Sequence, residues 1–170
     1  STNFLAYNFR SLKFCSSHII KFNPTLMTIL SNFFAAVNIL AVIVAGIVYW
    51  LLGAVWFSLL FGKTWANELE KHGVKLKEGA KTGNMAFQFI STFVMEVIVA
   101  LGCAFLTWYF DTTNIIQAVK LGLGVGICFA AIPMMIAYSW ESRPIKLVLI
   151  DVGYPVLGII VSTIILTLWR

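Results

Sequence analysis

Four long apolar segments alternate with short polar stretches along this chain, at roughly Phe33–Leu60, Met85–Tyr109, Ile116–Tyr138 and Ile145–Leu168. Each reaches the ~20 residues that carry a helix across a hydrocarbon core. Backbone groups in lipid must find partners inside the structure, so only helices or a closed barrel can span it. Barrel strands alternate apolar and polar positions, whereas these runs are continuous, and a barrel is rejected. The pattern predicts an all-α integral membrane four-helix bundle over residues 27–170, with the lipid bilayer as a partner. A separate N-terminal arm covers residues 1–26, and Pro24 divides it from the first span.

The links are short. Phe110–Asn114 joins segments two and three, and Ser139–Pro144 joins three and four. Short links make antiparallel neighbours of each pair. Pro144 suits the first turn of a helix, where its missing N–H does no harm. The longer stretch Thr64–Asn84 alternates Lys and Glu; it reads as a solvated charged loop with a short amphipathic helix around Trp65–His72 and a turn at Gly73. Trp56, Phe57, Trp65, Trp108, Trp140 and Trp169 stand at segment ends, as aromatic-belt residues do.

Polar positions inside the apolar runs carry the candidate chemistry. A projection at about 100° per residue gathers Asn38, Ala45, Tyr49, Gly53 and Trp56 on one face of segment one. It gathers Thr92, Glu96, Ala100, Cys103 and Thr107 in segment two, and Asp151, Tyr154, Pro155, Gly158 and Ser162 in segment four. The candidate intramembrane cluster is Asn38, Tyr49, Trp56, Glu96, Asp151 and Tyr154. An acid at such depth costs several kcal/mol unless it faces other helices, so these faces are expected to meet. Small residues let helices approach closely, and Gly46, Gly53, Gly122, Gly126 and Gly158 are the expected packing positions. Gly122-x-x-x-Gly126 is read as a packing ridge; no strand precedes it, so a nucleotide-binding loop is excluded.

Pro155 has no N–H to offer the carbonyl of Asp151, which places a freed carbonyl and a carboxylate at one position. That pair suits a cation, a proton, a water, or a donor such as Tyr49, Trp56 or Asn38. Asp151 lies ~9 Å past the loop that precedes it, within reach of Arg143 or Lys146. Glu96 has no evident cationic partner in the chain, since Lys120 enters from the other face and should snorkel away. Glu96 is expected to be protonated or paired outside the chain.

Composition sharpens this. Hydrophobic residues make up 60% of the chain and charged ones 11%, with a mean hydropathy of +0.91. A soluble domain carries about a quarter charged residues. The net charge of +5 does not point to nucleic acid, because the basic residues flank apolar segments. Lys63, Lys71, Lys75, Lys77, Lys81, Arg143 and Lys146 share one face; Lys120, Arg170, Arg10, Lys13 and Lys21 lie on the other. The positive-inside rule then puts both basic loops in the cytoplasm or its equivalent and both termini on the non-cytoplasmic side. The arm is basic and contains no acid, which fits an organellar transit peptide, an interfacial helix, or residues upstream of a natural start at Met27.

Cys15, Cys103 and Cys128 form no CxxC pair, and no metal or cofactor is implied. His18 and His72 both lie outside the apolar segments, and no catalytic constellation stands out.

Three phrases carry a resemblance: Val37–Val42; Gly53-Ala54-Val55-Trp56-Phe57-Ser58 with Phe61-Gly62-Lys63-Thr64-Trp65; and Glu141-Ser142-Arg143-Pro144-Ile145-Lys146-Leu147 running into Ile150-Asp151-Val152-Gly153-Tyr154. Over about residues 31–170 the chain resembles a family of short, mainly bacterial, four-span membrane proteins filed as a domain of unknown function, number 1761. Phe57 stands where the family pattern has Tyr, Ser142 where it has Gly, and no Pro follows Ser58. The resemblance implies four spans and no particular activity. The expected roles are a small accessory or interaction protein, as a homo-oligomer or a subunit of a larger membrane complex, or an oligomeric transporter of a small solute, ion or proton through Glu96 and Asp151. A lipid-modifying membrane enzyme is a distant third. The membrane is a bacterial inner membrane or a mitochondrial one.

Overall fold

The computed structural model of the chain describes residues 24–72 and 85–169. Among them every regular element is helical. Helix α1 (Pro24–Ala36) belongs to a compact unit that ends at Ala36, and a second unit runs from Val37. Most of the arm, with Arg10, Lys13, Cys15, His18 and Lys21, lies outside the described residues, as do the expected turn at Gly73 and Lys75, Lys77 and Lys81.

The first span does not begin at Phe33. The chain leaves helical geometry at Asn38, whose backbone is extended and whose Oδ1 accepts a hydrogen bond from the Ala41 N–H at 3.2 Å. That is an N-cap, which satisfies one of the orphan donors of a new helix. Helix α2 (Ile39–Val55) follows and widens into a π turn at Trp56–Leu60, closed by the Phe61 N–H on the Trp56 carbonyl at 2.9 Å. Helix α3 (Gly62–Lys71) leaves at once. Gly62 is required there, because a methyl group on it would stand 2.6 Å from the Phe57 carbonyl oxygen.

Helix α4 (Met85–Tyr109) forms the second span. Helix α5 (Ile115–Val125), a π turn at Gly126–Ala131 and helix α6 (Ile132–Trp140) together form the third. The π turn precedes Pro133, which cannot donate and crowds the carbonyl one turn back; the Ile132 N–H accordingly reaches five residues back to the Ile127 carbonyl. Helix α7 (Ile145–Leu168) is the fourth span. Among the described residues four helices, Ile39–Leu60, Ala86–Tyr109, Ile115–Trp140 and Ile145–Leu168, are long and apolar enough to cross a membrane.

Helix α7 is the hub of the second unit. Within the apolar window of each span, 44% is buried in α7 against 17% in α4. Helices α2, α4 and α5 all pack on α7, and α2 also packs on α4. Spans two and three, expected as neighbours, meet only sparsely; each packs on α7 instead. The reason lies in the small residues of α5. A methyl group on Gly122 would sit 2.8 Å from the Ile160 Cα, and one on Gly126 would sit 3.2 Å from the Val156 Cα. The ridge is spent within the chain, and close approach of this kind is what holds helices together where lipid removes the hydrophobic drive. Thr163 Oγ1 bonds across this seam to the Ala118 carbonyl at 3.0 Å. At the far end, Thr112 Oγ1 lies 3.1 Å from Thr167 Oγ1, tying the link after α4 to the end of α7.

Pro144 sits one residue earlier than expected. It caps α7 rather than entering it, and its carbonyl accepts from the Leu147 and Val148 N–H groups at 2.9 and 3.1 Å. Ser142, two residues before it, adopts a positive φ of 52°.

Candidate functional site

Asp151 lies in the second turn of α7 and is buried. Its Oδ1 accepts a hydrogen bond from the indole Nε1–H of Trp65 at 2.9 Å, and Arg143 Nη1 stands 3.7 Å from its Oδ2. Arg143 is itself held: its Nε bonds Glu141 Oε2 at 2.5 Å, and its guanidinium lies 4.3 Å from the centre of the Tyr138 ring. Asp151 thus meets two neutral donors, the Trp65 indole and the Tyr138 hydroxyl, and one cation.

Trp65 reaches this point because α3 folds back directly after the π turn. Glu68 and Leu69 of α3 are also buried, while Lys63, Asn67, Glu70 and Lys71 are exposed, so the amphipathic helix expected around Trp65–His72 is present and turns one face inward. Lys71 bonds Glu68 Oε1 at 3.1 Å, which holds the Glu68 carboxyl below the usual carboxylate range. The neighbouring Trp56 donates its indole N–H to the Ile150 carbonyl at 3.0 Å rather than to that of Asp151. Gly153 makes room, since a methyl group there would stand 3.0 Å from the Trp56 ring.

One turn deeper, the Tyr154 hydroxyl donates to Glu96 Oε1 of α4. The Tyr154 ring rests on Gly53, where a methyl group would fall 2.9 Å from its oxygen. Its centroid lies 5.4 Å from that of Tyr49 and 5.6 Å from that of Phe57, and Phe57 meets Trp65 edge-on at 5.9 Å. Tyr49 is almost wholly buried, with its hydroxyl 3.3 Å from the Pro155 carbonyl oxygen and its ring packed against Gly158. A methyl group on Gly158 would stand 2.0 Å from the Tyr49 ring, and one on Gly46 would stand 2.6 Å from Val97 Cγ2. Glu96 Oε2 is enclosed and meets no donor among the described residues.

The structure therefore gathers Tyr49, Trp56, Glu96, Asp151 and Tyr154 along α7. Asn38 does not join them: it caps α2, and the projection that aligned it with Tyr49 assumed one unbroken helix. Thr92 also stands apart, exposed, with its hydroxyl turned back onto the Gln88 and Phe89 carbonyls of its own helix. Cys103 and Ala100 are buried, and so are Thr107 and Ser162.

Residues 40–167 match the model of a family described as a protein of unknown function, DUF1761. The chain belongs to this family. No curated protein and no solved structure matches it. The matched stretch takes in every residue of the cluster and stops short of Asn38 and α1.

The two longer phrases that carry the DUF1761 resemblance dock on each other. Trp56 and Trp65 of the first phrase donate to Ile150 and Asp151 of the second, and Gly53 and Phe57 of the first pack on Tyr154 of the second. Sequence reasoning placed Trp65 in the aromatic belt and missed its bond to Asp151. The available signal was the apolar face of Gly62–Lys71, on which Trp65 and Leu69 fall four residues apart.

Proposed function

We propose that this membrane protein works as a small accessory or interaction protein, a subunit of a larger membrane assembly. One observation carries the reading. The polar groups of the bundle are mostly bonded within the chain, while α4 leaves a broad apolar face open, with Ile90, Met95 and Ile98 each more than 60% exposed. Beside that face, Ile47, Trp50, Leu51, Phe89, Ile90 and Phe93 line a wholly apolar groove of about 350 Å³. A span buried on so little of its surface supports packing against a neighbouring helix. On this reading the protein is not an enzyme. The test is the mass and composition of the particle extracted gently from its native membrane. A large assembly containing other polypeptides is expected; a particle of one chain and lipid alone would overturn the reading.

A second reading, an oligomeric transporter of a small solute, ion or proton, is favoured by the enclosed, unbonded Oε2 of Glu96. A particle made only of copies of this chain would turn the balance toward it.

The basic loops support a topology with residues 64–84 and 139–144 on the cytoplasmic or matrix side and both termini opposite, in a bacterial inner membrane or a mitochondrial one. Efficient labelling of Lys75→Cys from outside intact cells or organelles would invert that orientation.

A further inference from the structure

Glu96 and Asp151 are both acids on apolar helices, yet the protein surrounds them differently. Asp151 has the indole N–H of Trp65 on one oxygen and the Arg143 guanidinium near the other. Glu96 has a single neutral donor, the Tyr154 hydroxyl, on Oε1, and its enclosed Oε2 has none. It sits near the middle of α4, ~16 Å along the helix axis from its start. The titratable groups that face it are Tyr154 from α7 and Tyr49 from α2, with Cys103 of its own helix beside Tyr49. Among the described residues no Lys, Arg or His is paired with it.

An ionised carboxylate at this depth with one neutral hydrogen bond costs several kcal/mol, and no cation among the described residues is paired with it to offset that. A neutral carboxyl fits the same space. Its carbonyl oxygen accepts from Tyr154; its O–H has no acceptor among the described residues, and an unbonded neutral hydroxyl costs far less than an unpaired charge. We propose that Glu96, Tyr154 and Tyr49 form a proton-binding site in the membrane interior, with Glu96 carrying the proton. Tyr154 fixes the carboxyl by its hydrogen bond. Tyr49 supplies the second hydroxyl of the site, held only by a long bond of 3.3 Å to the Pro155 carbonyl. The site depends on neither reading of function, and its test needs no partner and no transported solute.

The experiment is infrared spectroscopy of the full chain in lipid nanodiscs at neutral pH, comparing H₂O with D₂O. A carbonyl band of a protonated carboxyl, shifted by deuterium, is expected in the wild type and in Asp151→Asn, and is lost in Glu96→Gln. In Tyr154→Phe the band moves to higher frequency, because its carbonyl loses the hydrogen bond. That shift assigns the band to Glu96 even if Glu96→Gln does not fold. Absence of the band from the wild type, or its loss in Asp151→Asn with persistence in Glu96→Gln, would overturn the proposal. A band unmoved in Tyr154→Phe would remove Tyr154 from the site.

Discussion

Trp65 donates its indole N–H to Asp151 at 2.9 Å, joining a helix that lies outside the spans to the second turn of the last one. This bond links two of the three phrases that carry the resemblance to DUF1761. It also explains how an acid near one end of a span is accommodated without facing lipid.

Asp151→Leu leaves the Trp65 N–H without its acceptor and leaves Arg143 with Glu141 as its one remaining carboxylate partner. Its expected cost is about 2–3 kcal/mol, in the upper part of the ~1–3 kcal/mol range for orphaning a buried donor. Asp151→Asn keeps an acceptor for Trp65 and is expected to cost about 1 kcal/mol. Denaturant unfolding in mixed micelles measures both. Equal and negligible effects would mean that the bond to Trp65 does not stabilise the fold.

Glycines on α7 and α5 separate packing from conformational effects. Gly158→Ala drives a methyl group into the Tyr49 ring, 2.0 Å away before any shift. Overpacking of that kind costs about 1–3 kcal/mol. Gly124→Ala meets nothing within 4 Å, and Ala is the better helix former by up to about 1 kcal/mol. Opposite shifts of the apparent Tm are expected, down for the first and up for the second. A harmless Gly158→Ala would refute the close approach of Tyr49 to α7.

Ser142 has a φ of 52°, in the left-handed region that favours glycine. A side chain in the left-handed region is strained, whereas glycine takes it freely at some entropic cost. Ser142→Gly is expected to raise stability by about 0.5–1 kcal/mol. A thermal melt of the purified protein checks it, and a lowered Tm would contradict the turn geometry.

Hydrophobic runs made the four spans legible, because length and apolarity alone decide whether a helix can cross lipid. The 100° projection also brought Tyr49, Gly53 and Trp56 to one face and Asp151, Tyr154 and Gly158 to another, and these are residues that pack together in the structure. It failed at Asn38, because a run of apolar residues does not reveal a cap that restarts the helix inside it. Short links made neighbours of spans two and three, but link length limits only where two helix ends lie. Glycine and polar contacts then drew each of them onto α7. The role of Trp65 was hidden for a different reason. A tryptophan at a span end has the same sequence signature whether it faces the lipid headgroups or turns inward, and the π turn that redirects α3 leaves no periodicity to read.

The docking of the two phrases on each other is tested most directly by a double-mutant cycle between Trp65→Phe and Asp151→Leu. Unfolding free energies of the wild type, the two single variants and the double variant are measured in one lipid–detergent mixture. If the indole and the carboxylate are bonded, the double variant loses less than the sum of the singles, with a coupling of about 1 kcal/mol or more. Losses that add to within about 0.3 kcal/mol would show that the two residues do not interact, and the link between the surface helix and the last span would fall with them.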